Sequence, residues 1–165
     1  MATNKIYYTP GTAKTFKNTG GDVTLTLKNV ANGAGRLSAQ LDRGAGSLPA
    51  RYKVEVVMKY AANVTIGLVS RIYLHAAENG SALVDGGTSD ASIAAETQFG
   101  NFAFIGQNAA AALSVGPFYS SHIVEIYGRY VSVGVWNASG QATENLDGSS
   151  YVVLTPIPDD VQAAA

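Results

Sequence analysis

Two histidines, His75 and His122, are the residues best suited to acid–base or metal chemistry, and each stands at the end of a β-type run. Hydrolytic or metal chemistry needs them to converge with a carboxylate or a nucleophile. Ser120 and Ser121 precede His122, but adjacent residues of a strand face opposite ways, which argues against a Ser–His pair. The 165 residues include no cysteine, so thiolate nucleophiles, thiolate metal sites and disulfides are excluded. Asp85-Gly86-Gly87-Thr88-Ser89-Asp90 is oxygen-rich like a calcium loop. It lacks the full EF-hand spacing and the distal Glu, so plain solvation of a loop is the better reading. No glycine cluster matches a P-loop or a dinucleotide fingerprint. Asn63, Asn79 and Asn137 open glycosylation-type triplets, which an Asn- and Ser-rich chain produces by chance. The residues therefore point away from an enzyme and call for no cofactor or metal.

Trp136 is the single tryptophan among nine Tyr and five Phe. An exposed aromatic could stack a sugar, as in carbohydrate-binding sandwiches. Along Val131, Val133 and Val135 the indole falls on the opposite face, and subunit or intersheet packing is the preferred role.

The elements that would position such residues are strands. Val23, Leu25 and Leu27 alternate with Thr24, Thr26 and Lys28, and Leu37, Ala39 and Leu41 alternate with Ser38, Gln40 and Asp42. The strongest alternation is Tyr52, Val54, Val56, Met58, Tyr60, followed by Ile66, Leu68, Ser70, Ile72, Leu74. Residues 76–97 are Gly-, Ser- and Asp-rich and read as one long central loop, with a helical turn expected near residues 91–96. Strand character returns at 99–106, 122–127, 130–137 and 150–155, with an Ala-rich linker at 108–113 that could carry a short helix. Pro156 and Pro158 are expected to stop the last strand. No segment between strands sustains a helical period, so the expectation is an all-β antiparallel sandwich of about eight strands. The expected organisation is an N-terminal arm (1–20), a sandwich domain (21–156) and a C-terminal tail (157–165).

Eleven basic and twelve acidic residues give a net charge of −1, without the basic stripe that phosphate binding needs, so no nucleic-acid partner is expected. Only 14% of residues are charged, against about 25% in ordinary domains. Such a surface, finished in Ser, Thr, Asn, Gly and Ala, suits protein–protein packing. Neither a signal peptide nor a membrane-length apolar run is visible, and no membrane partner is expected.

Three stretches carry a family resemblance: GRLSAQLDRGAGSLPARYKVEVVMKY, IYLHAAENGSALVDGGTSDASIAAET, and the C-terminal strands. In the last, Ile123–Ile126, Arg129–Val133 and Val135–Ala138 form an IVEI, RYVSV, VWNA pattern, closed by Leu154–Gln162 with Asp160 in place of Glu. Together they resemble small virion proteins of tailed bacteriophages, over most of the chain beyond Gly35. The resemblance implies a capsid decoration (cement) protein: a jelly-roll-like fold, often a homotrimer, bound to the major capsid protein on the virion exterior and made in the host cytoplasm. It carries over no catalytic residue. Expected subunit or capsid contacts are Ile6, Tyr7, Tyr8 and Phe16 of the arm, Trp136, the loop at 76–97, and Ile157 and Val161 of the tail. The rival readings are a carbohydrate-binding sandwich and a tail- or neck-associated protein used in host attachment.

Overall fold

A computed structural model describes residues 11–45, 48–80, 89–100 and 102–157. Ten strands form: β1 (Lys14–Phe16), β2 (Ala34–Leu37), β3 (Leu41–Asp42), β4 (Arg51–Met58), β5 (Val69–Ala77), β6 (Ala91–Ile93), β7 (Ala103–Ala109), β8 (Phe118–Glu125), β9 (Tyr130–Ala138) and β10 (Tyr151–Ile157). One sheet runs β1-β10-β4-β8 and the other β6-β2-β9-β5-β7, with β3 also on β9. All strand pairs are antiparallel.

Setting β3 and β6 aside, the pairs β5–β7, β4–β8, β2–β9 and β1–β10 are the successive rungs of one long hairpin. Successive rungs fall in alternate sheets, so the hairpin is rolled up, and the fold is a jelly roll. The strand alternation built this. Tyr52, Val54, Val56 and Met58 point inward from β4, Ile72 and Leu74 from β5, and Val131, Val133 and Val135 from β9, into one core with Val152 and Leu154. Burying each of these aliphatic side chains contributes roughly 1.5–3 kcal/mol.

Several expected elements differ. Leu37 faces Gly134 while Leu41 faces Val131, so four steps along one strand oppose three along the other. That bulge at Ser38 flips the side-chain phase. Leu37 therefore joins an outer cluster and only Leu41 enters the core. Ser38 replaces the lost ladder: its N–H donates to Val133 O, and its Oγ accepts the Val133 N–H at 2.9 Å. Val23, Leu25 and Leu27 are buried in alternation as expected, yet only Val23 makes a bridge, to Phe16. The segment packs without a ladder. Residues 65–68 stay outside β5 because Gly67 turns the chain at φ +86°, leaving Ile66 63% exposed. Near residues 91–96 a strand, β6, replaces the expected helical turn, and a short 3-10 turn follows at Glu96–Phe99. The Ala-rich linker is the end of β7 and a turn, not a helix. Strand β10 also runs through Pro156. The Pro156 carbonyl accepts Gly11 N–H on the β1 side, so the missing donor lies beyond the end of β1 and costs the β4 ladder nothing.

The two sheets differ in their outer faces. A strap made of the 3-10 turn and Phe102, which follows edge strand β6, folds over the outer face of the six-stranded sheet, burying Leu37, Ile93, Phe99, Phe102 and Trp136 together. Glu96 fastens the strap, accepting from Arg71 Nη1 at 2.5 Å and from the Tyr73 hydroxyl. Among the described residues, no comparable strap covers the four-stranded sheet.

Candidate functional site at one end of the sandwich

Arg43 organises one end of the molecule. Its guanidinium donates from Nε to the Tyr52 hydroxyl at 2.9 Å and from Nη1 to Ile126 O at 3.1 Å, and it also reaches the Gly128 and Pro49 carbonyls. It lies 4.8 Å over the Tyr52 ring. One planar donor group therefore ties together the β3–β4 loop, the start of β4 and the β8–β9 turn. Beside it, Arg129 grips Asp42 through two bonds, Nε–Oδ1 at 2.7 Å and Nη2–Oδ2 at 2.6 Å. The Arg129 bonds, helped by the Gly44 N–H, hold the Asp42 carboxyl down at about 2. Both side chains remain more than a third exposed. Tyr127 is 72% exposed, with its hydroxyl on Glu125. Gln40 donates to Gly80 O and fixes the exit from β5.

The two ends of the described residues meet here. Gly11 is bonded to Pro156, so the described chain begins and ends side by side. The β3–β4 loop and the segment after Ala77 leave from the same end, where Tyr130 pairs with both Ala77 and Asp42. Between them lies a recess of about 170 Å³ lined by Leu41, Leu48, Pro49, Tyr52 and Pro156, with Lys14 at its rim. This end combines anchored arginines, a displayed tyrosine and an apolar recess, which are the residue types that contact surfaces favour.

The expected contact residues fare unequally. Ile6, Tyr7, Tyr8 and Val161 lie outside the described residues. Ile157 closes β10 opposite Arg51, at this end. Phe16 instead is fully buried in the core, because β1 joins the sheet and turns that side chain inward. Trp136 lies opposite the core valines as expected, but the strap covers it to 8% exposure, which removes it as a sugar platform in this chain. Arg43, Asp42, Arg129 and Tyr127 are not among the contact residues expected from the sequence. Their signal was charge beside turn glycine, in Asp42-Arg43-Gly44 and Gly128-Arg129.

The polar residues first weighed for chemistry do not converge. His122 lies in the middle of β8, not at its end, and its ring lies against Gly106, where a Cβ would come within 2.3 Å. His75 belongs to the opposite side of the other sheet, its ring 5.1 Å from Phe102. Ser120 shares the interior with His122 and accepts from Asn108, whereas Ser121 faces out. Asp90, at the end of the calcium-like run, is held by Arg36 and the Thr26 N–H. Residues 85–88 of that run lie outside the described residues. Asn137 is fully buried and donates to Val30 and Gln141, so it is closed to glycosylation. Among the described residues, no group of three His, Asp or Glu side chains gathers as a metal site would require.

Comparison with known proteins adds no relative: no protein-family model, no curated protein and no solved structure matches the chain.

Proposed function

We propose that this protein is a non-enzymatic virion component that decorates a phage capsid and stabilises its exterior by binding across capsomers. The observation that supports it best is the gathering of both described chain ends, two loops and the Arg43–Arg129 cluster at one end of a jelly roll. An anchor needs that division. The closed core supplies rigidity, and one end carries the contact groups beside Gly11 and Ile157. A shell under internal pressure fails at seams between capsomers, and a clamp across a seam adds binding energy that must be lost before the shell opens. Repetition makes modest contacts sufficient. The bacteriophage resemblance directs the partner to the major capsid protein, and a homotrimer on a threefold position is the assembly it favours.

Mass spectrometry of purified virions from the phage that encodes the chain tests this reading. Many copies per particle, lost together with shell stability on gene deletion, support it. Absence from the particle refutes it.

A further inference from the structure

The uncovered face of the four-stranded sheet carries a second site, about six residues along β4 from the contact end. Tyr151, Val57 and Tyr119 stand in one cross-strand row, and Val153, Glu55 and Ser121 in the next. They line an open groove of about 330 Å³, within the size range of small-ligand sites. Tyr119 is 71% exposed. Tyr151 is backed by Lys17, whose Nζ lies 5.6 Å from the ring centroid. That lysine stands on the β1 side of Tyr151, while the groove opens on the β4 side. The hydroxyls of Tyr119, Ser121 and Tyr151 make no hydrogen bond to the described chain.

The dimensions select the ligand. Tyr151 and Tyr119 are two strands apart, about 9–10 Å at ordinary strand spacing. Val57, only 6% exposed, forms the floor between them, and a backbone spacing of that width suits one non-aromatic ring laid over Val57 with its C–H groups towards the tyrosines better than a single stacked base. The floor selects further. Glu55 is an acceptor whose cation, Lys53, is already 2.7 Å away. Anionic sugars and phosphates gain no free charge there. A proline-rich strand would fill the gap, but proline has no N–H to offer the carboxylate. Vicinal hydroxyls do donate to a carboxylate, and Ser121 and the tyrosine hydroxyls can donate or accept in return.

We infer that this groove binds a neutral pyranose unit of a glycan, seated between Tyr119 and Tyr151 with its hydroxyls on Glu55 and Ser121. The groove stands on its own geometry and does not depend on the capsid reading. If the contact end faces a shell, the groove, about 20 Å further along the strands, stays free for a second partner.

The test is a panel of neutral oligosaccharides (gluco-, galacto- and manno-configured) titrated into the whole protein. Sialylated glycans and a polyproline peptide serve as comparators. At least one neutral glycan should bind with a dissociation constant of about 1 mM or tighter. Tyr119→Ala and Ser121→Arg should each weaken it at least about tenfold, while Tyr119→Phe retains binding and Trp136 fluorescence is unchanged. The inference is overturned if no neutral glycan binds, if the peptide or only charged glycans bind, or if Tyr119→Ala leaves affinity intact. None of these outcomes bears on virion incorporation, so the two readings fail separately.

Discussion

Phe99 lies directly on Gly134: a Cβ at that glycine would come within 2.3 Å of its ring. Gly134 sits in β9 between Leu37 and Tyr73 of the neighbouring strands, and Tyr73 stacks on Phe99 at 4.7 Å. The missing side chain is therefore the seat of the strap. Gly134→Val should lift Phe99, costing about 1–3 kcal/mol by overpacking. The single tryptophan reports it: Trp136 emission should shift to the red, and the urea midpoint should fall.

The strap should also be sensitive to acid. Burial alone would raise the Glu96 carboxyl, but the Tyr73 hydroxyl and the Arg71 guanidinium outweigh it and hold the group below its ordinary 4.5. A folded value below the unfolded one contributes stability that is complete above 4.5 and fades as pH falls through the lowered value. Between neutrality and about pH 3, the wild-type midpoint should fall more steeply than that of Glu96→Gln. At the alkaline end, burial first and Glu96 second push Tyr73 to about 12. Its contribution is full below 10 and lost through 12; Tyr60 and Tyr127 are also raised, so spectrophotometric titration should show a late tyrosine phase whose amplitude falls in Tyr73→Phe.

Asn108 stitches the sheets. From β7 its amide donates to Phe118 O at 2.9 Å and Val56 O at 3.2 Å, both in the other sheet, and the side chain is fully buried. Asn108→Leu removes both side-chain donors from the Phe118 and Val56 carbonyls and with them the polar tie between the sheets, a loss of about 1–3 kcal/mol. Chemical denaturation measures it, and exchange protection of β7 and β8 amides should drop first.

Asp42 and Arg129 should matter for contact more than for folding, because both are exposed and such pairs add little to stability. Asp42→Asn should leave the melting temperature close to wild type. In the wild type, NMR should find the Asp42 carboxyl titrating at about 2. Its folded value is depressed, so whatever the pair contributes is present above the ordinary 3.8 and lost as pH falls through about 2.

Fold and site were readable from the sequence to different depths. The β4 phase holds, and every side chain expected inside from Tyr52 to Tyr60 is buried, although Val57 on the outer face is buried too. Alternation broke down where a residue was added without changing composition. The Ser38 bulge shifts phase between Leu37 and Leu41, and nothing in Ser-Ala-Gln announces it. Alternation also says nothing of pairing, so Val23–Leu27 is buried like a strand without belonging to a sheet. Trp136 was placed on the correct face, but its cover comes from Phe99 and Phe102, some thirty-five residues away in the chain. Arg43 escaped notice because its four partners include Ile126 and Gly128, more than eighty residues away, which only the fold brings to Pro49 and Tyr52.

The capsid reading rests on the end of the sandwich where Arg43 and Arg129 lie, and co-sedimentation with empty shells of the major capsid protein from the same genome tests it most directly. Wild-type protein should saturate the shells at a fixed stoichiometry. Arg129→Glu and deletion of residues 1–8 should each weaken binding at least about tenfold, with melting temperature and Trp136 emission preserved, and Tyr119→Ala should bind as wild type. Failure of the wild-type protein to bind, or unchanged affinity in both contact variants, would contradict it.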